Sequence, residues 1–135
     1  MATMYMHRSM ITAMVFLIIT NILINRGICE NCSLDNINIG TVRSGREING
    51  KAEWNVTVIN TCENCGQSEI KLGCEGFQTA KPVDPATFLD QGHGQCLLIN
   101  GSILNPKATV RFSYAWDPPF LFFPLHSRIP TSCNS

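Results

Sequence analysis

The sequence predicts an all-β fold, a small disulfide-stapled β-sandwich of about six or seven short strands. Three observations lead there. Beyond the first two dozen residues, apolar side chains never persist at helical spacing, and Gly or Pro interrupts most windows. Short runs of alternating apolar and polar residues recur instead, with turn residues between them. All seven cysteines also lie beyond that first segment, a density that in a secreted domain marks a framework of bridges.

The first segment reads as a secretory leader occupying residues 1–27. Arg8 supplies a basic start, and Ile11 to Ile24 is apolar apart from Thr12, Thr20 and Asn21. That run is shorter than the roughly 20 apolar residues a membrane-spanning helix needs, so no stable membrane anchor is expected. Cleavage after Gly27 leaves a domain of residues 28–135. Removing Arg8 and Arg26 from the ten basic side chains leaves eight against ten acidic ones, a net charge of −2. A nucleic-acid binder needs a basic face, so that class is excluded. A chain this short builds a thin core, and covalent cross-links are the usual remedy.

The elements come in order along the chain. Leu34, Ile37 and Ile39 form a short apolar stretch before a turn-rich segment from Gly40 to Gly50. Trp54, Val56 and Val58 alternate with Asn55, Thr57 and Asn60 as in a half-buried strand. Ile70, Leu72 and Cys74 repeat that pattern. Pro82 to Gly94 lacks strand character, and Asp84-Pro85 starts one helical turn within it. Cys96–Ile99 and Ile103–Leu104 flank Asn100-Gly101, a pair suited to a hairpin turn. In Thr109–Trp116, the strongest strand signal, Val110, Phe112, Tyr114 and Trp116 share one face. Phe120–Leu125 closes the set as an edge strand, because Pro119 and Pro124 cannot donate to a ladder.

Chemical motifs are sparse. Cys62-x-x-Cys65 with His93-x-x-Cys96 can be drawn as a zinc site or, for the first pair, as a redox dithiol. The pair ends a strand without a helix to lower a thiol pKa, so structural disulfides are expected and no metal or cofactor is. His93 and His126 are the only histidines beyond the leader. No strand-turn-helix elbow presents a nucleophile, and the chain is read as a non-enzyme. Asn55-Val56-Thr57 and Asn100-Gly101-Ser102 are glycosylation triplets on predicted surface. Asn31-Cys32-Ser33 is a poorer acceptor because a bridged Cys32 stiffens it. Consecutive apolar residues cannot all face inward on one strand, so Phe120, Leu121, Phe122 and Phe123 are read as a partner surface.

Several stretches then occur in a recognisable order: Cys32–Gly40 (CSLDNINIG), Glu53–Cys62 (EWNVTVINTC), Leu72–Phe77 (LGCEGF) and Val83–Pro85 (VDP). Cys96–Gly101 (CLLING), Phe112–Trp116 (FSYAW) and a closing Cys133 complete the series. Together they resemble the plant tapetum determinant family of small secreted cysteine-rich proteins, over about residues 32–133. The resemblance implies that Cys32, Cys62, Cys65, Cys74, Cys96 and Cys133 form disulfides in a pairing it leaves open. Cys29 is then unpaired or intermolecular, which suggests a disulfide-linked homodimer. Two residues separate Cys62 from Cys65 where many relatives have one. The implied function is that of a secreted, apoplastic ligand for a leucine-rich-repeat receptor kinase ectodomain in plant cell-fate determination. The alternative is an extracellular carbohydrate-binding module that stacks sugars on Trp116 and the Phe120–Phe123 run.

Overall fold

In residues Thr109–Ala115, Val110, Phe112 and Tyr114 turn one way and are buried, while Thr109, Arg111 and Ser113 turn the other way. This period-two pattern is what a strand with one covered face requires. The structure, a computed structural model, describes residues 31–133; the expected leader and Cys29 lie outside the described residues. It contains β1 (Ile37–Ile48), β2 (Lys51–Asn60), β3 (Ser68–Gly73), β4 (Phe88–Asp90), β5 (Gln95–Leu98), β6 (Thr109–Ala115) and β7 (Phe123–Arg128). Among the described residues every strand pairing is antiparallel. One sheet has the order β1-β2-β6 and the other β4-β5-β3-β7.

The core lies between the sheets. Val56, Val58, Val110, Phe112 and Tyr114 come from the first, and Ile70, Leu72, Phe88 and Leu98 from the second. Phe88 stacks on Phe112 with ring centroids 4.4 Å apart. Phe77 meets Phe88 and Tyr114 edge-on at 5.3 and 5.4 Å. Such pairs add about 0.5–1.5 kcal/mol each beyond their area burial. Trp54 is only half-buried, and its indole N–H donates to the Trp116 carbonyl at 2.9 Å.

The structure moves three sequence expectations. Gly40–Gly50 is strand and hairpin, not a turn-rich connector: β1 runs through Gly40 and Gly45, with a bulge between Arg43 and Glu47. The tight turn uses Asn49 and Gly50, both at positive φ (51° and 77°), as a two-residue hairpin requires. Asn100-Gly101 instead belongs to a short 3-10 turn, Ile99–Gly101. Beyond that turn, Ile103–Leu104 forms no strand and contributes a single bridge between Gln67 and Leu104. Finally, β4 lies inside the segment expected to lack strands, paired to β5 through Phe88↔Leu98.

Candidate functional site

Two features stand out: a four-cysteine cluster beyond the last residue of β2, and the outer face of the four-stranded sheet. The cluster is built by a buried amide. Asn60, fully buried, donates from Nδ2 to the carbonyls of Cys65 (2.9 Å) and Leu104 (3.1 Å). Its Oδ1 accepts the Cys62 N–H at 3.1 Å. Gln67, also fully buried, donates to the Ser33 carbonyl at 2.9 Å and accepts the Ser127 hydroxyl at 2.7 Å. Buried amides are costly unless satisfied; satisfied here, they fix the Cys62–Cys65 loop, the start of the domain and β7 in one arrangement. The sequence carries no local signal for this network, whose partners lie up to 60 residues apart.

Cys32 is bridged to Cys62, and Cys74 to Cys96. Cys65 and Cys133, expected among the bridged residues, stand as thiols. Cys65 is buried and its thiol donates to the Cys133 carbonyl at 3.5 Å. The sulfurs of Cys32, Cys62 and Cys65 lie within 4.8 Å of one another. The drawn zinc quartet is therefore not assembled: Cys62 and Cys65 belong to this cluster, Cys96 is bridged to Cys74, and His93 is exposed at φ 57° in the β4–β5 turn.

The candidate partner face begins at the β6–β7 connection. The Tyr114 hydroxyl accepts the Phe120 N–H at 2.6 Å and so anchors the chain as it leaves the core. Phe120 and Phe122 then turn inward and meet the Phe77 ring at 5.6 and 5.4 Å. Alternation thus sends two members of the run to the core and leaves one side of it outward. Leu121 (87% exposed) and Phe123 (54% exposed) face out. Phe123 lies over Gly73, where any Cβ would overlap its ring. Beside it, register aligns Leu89 with Leu97, Leu97 with Lys71, and Lys71 with His126. A bulge between Lys71 and Leu72 on this ladder brings Leu125 beside His126, and both line a shallow pocket with Lys71 and Gln95. Leu89, Phe123 and Leu125 are thus exposed apolar residues around a lysine.

The outer face of the other sheet is more polar, though it carries one exposed valine, Val42, 67% exposed. Asn55, Thr57, Arg111 and Ser113 line a polar trough there. Asn55 is exposed, opposite Val42 in the ladder. Asn100 is exposed in the turn after β5. At one end of this sheet Glu53 is buried under Lys81, whose Nζ lies 2.8 Å from its carboxylate. The hydrogen bond from Lys81, followed by that from Ser44, holds the Glu53 carboxyl below its ordinary value against the opposing effect of burial. Trp116 is half-buried and capped by the Lys51 ammonium at 4.8 Å. With Phe120 and Phe122 turned inward and Trp116 half-buried, Phe123 is the exposed aromatic that remains to the alternative sugar-stacking surface.

Residues 33–133 match the family described as Tapetum determinant 1, C-terminal. The chain belongs to the tapetum determinant family. It is 29% identical over 86 residues to TPD1 protein homolog 1B of Oryza sativa subsp. japonica, covering 64% of this chain and 51% of that protein. It is 28% identical over 87 residues to TPD1 protein homolog 1 of Arabidopsis thaliana, covering 64% and 49%. For TPD1 protein homolog 1A of Oryza sativa subsp. japonica the identity is 31% over 103 residues, covering 70% and 46%. The chain thus spans about half the length of these curated relatives. No solved structure matches it. Among the described residues no helix is long and apolar enough to cross a membrane.

Proposed function

We propose that this tapetum determinant protein is a secreted signalling ligand in plant reproductive development, recognised by a leucine-rich-repeat receptor kinase ectodomain. The observation that carries the reading is the family match across residues 33–133. Bridges within the domain and the short apolar leader support secretion to the apoplast. The asymmetry of the outer faces supports the mode of action. Leu89, Phe123 and Leu125 form the docking face with Lys71 at its centre, and Leu121 projects at its rim. Exposed apolar side chains gathered on one face and rimmed by polar residues mark interaction sites. A sugar on Asn55 covers the opposite, polar face and leaves the docking face clear; one on Asn100 sits at a loop.

Purified, oxidised protein titrated against a panel of leucine-rich-repeat ectodomains and against cell-wall polysaccharides tests this reading. Saturable binding to one ectodomain is expected. Retention on polysaccharide alone would transfer the function to carbohydrate binding and refute the ligand role.

A further inference from the structure

The two thiols left in the cysteine cluster are placed to react with each other. Cys65 is 1% exposed, and Cys133 packs against the Cys32, Cys62 and Cys65 side chains together with Ile129. The tail is held there by its own structure. The 3-10 turn Thr131–Cys133 closes with the Cys133 N–H donating to the Pro130 carbonyl at 3.0 Å. The Cys65 thiol reaches the Cys133 carbonyl across 68 residues of sequence. Among the described cysteines the other four are already joined.

We propose that Cys65 and Cys133 form a third disulfide, which clamps the C-terminal tail to the β2–β3 connection. The pairing is then Cys32–Cys62, Cys65–Cys133 and Cys74–Cys96, with Cys29 as the odd thiol of the chain. Closure needs an oxidant, and a disulfide-form thiol oxidoreductase of the secretory compartment supplies it. The Cys133 thiolate, the more accessible of the two, attacks the carrier disulfide and expels one carrier thiol. The Cys65 thiolate then displaces the second. Two S–H bonds are lost and one S–S bond forms; two electrons and two protons reduce the carrier to its dithiol. Contact with the Cys133 sulfur, followed by burial, pushes the Cys65 thiol up to about 11 in the docked form. Exchange initiated by Cys65 is then slow, which makes Cys133 the attacking thiol and Cys65 the resolving one.

The proposal rests on secretion, and one experiment separates the two. The full chain is expressed through a eukaryotic secretory pathway, alkylated without reduction, and digested with trypsin and an endoproteinase that cuts after Glu. Cleavage after Glu63 separates Cys62 from Cys65. The expected map joins the fragment 64–69 to the fragment 129–135. Alkylated Cys65 and Cys133 beside intact Cys32–Cys62 and Cys74–Cys96 bridges would overturn the pairing but leave secretion standing. Loss of all three bridges would refute both. Thiol counting on denatured Cys133→Ser provides a second reading. If the bridge exists, the count rises by one relative to the parent, because Cys65 is released; if both were thiols, it falls by one. Stoichiometric zinc in the purified protein, with Cys65 and Cys133 both alkylated only after chelation, would also overturn the bridge.

Discussion

Tyr114 shows how a single buried polar atom fixes a connection. Its ring is fully buried and its hydroxyl is the acceptor for the Phe120 N–H. Tyr114→Phe keeps the ring and removes the acceptor, which costs about 1–3 kcal/mol when the orphaned donor stays desolvated. Urea denaturation should show that loss, with the m-value unchanged. Glu53 provides a pH-dependent counterpart. Its carboxyl lies below the ordinary 4.5 in the folded chain, through Lys81 first and Ser44 second. A lowered folded value gives stability that is fully present above the unfolded value and lost as pH falls through the folded one. Wild type should therefore melt above Glu53→Gln at neutral pH, with the gap closing below about pH 4.5. A gap independent of pH would contradict the ion pair. At this scale the alternation of Val110, Phe112 and Tyr114 was legible because local period alone decides it. The roles of Glu53, Asn60 and Gln67 were not, since Lys81 lies 28 residues from Glu53 and only the fold unites them.

At the scale of elements, β7 depends on a glycine in its neighbour. Gly73 pairs with Phe123, and the ring occupies the space a side chain would need. Gly73→Ala should cost about 1 kcal/mol or less, because the half-exposed Phe123 ring can swing off the new methyl into another rotamer. Amide exchange should then quicken in β7 while β2 keeps its protection. Combining it with Phe123→Ala should cost less than the sum of the two single changes, as expected for residues in contact. The sequence marked Phe120–Leu125 as an edge strand through Pro119 and Pro124; the strand forms three residues later, at Phe123–Arg128, and lies at the end of its sheet. The sequence showed only the start of β1, through Ile37 and Ile39; from Gly40 onward the strand is exposed along most of its length and has no alternation to display. Its Gly and Ser residues also mimic a loop. The hairpin signal was misplaced for a related reason. Asn49-Gly50 and Asn100-Gly101 are locally alike, and only cross-strand pairing distinguishes a hairpin from a 3-10 turn.

At the largest scale, the described domain is a thin two-sheet core reinforced by covalent links at separate places. Cys32–Cys62 ties the entry of the domain to the residues just beyond β2, and Cys74–Cys96 ties β5 to the segment after β3. Bridges in small secreted domains contribute about 2–4 kcal/mol each, more for longer loops. The cysteine count and the period-two runs made a disulfide-stapled all-β fold legible in the chain alone. The division into one outer face lined by Asn55, Thr57, Arg111 and Ser113 and another bearing Leu89, Phe123 and Leu125 required the sheet order and register. The central claim is that the apolar face is the one a receptor reads. Its most direct test measures affinity for the bound ectodomain in two folded surface variants, Leu125→Asp on the four-stranded sheet and Thr57→Asp on the other. The account predicts at least a tenfold loss, about 1.4 kcal/mol, for Leu125→Asp and no change for Thr57→Asp. Unchanged binding by Leu125→Asp with loss in Thr57→Asp would contradict it and move the interface to the opposite sheet.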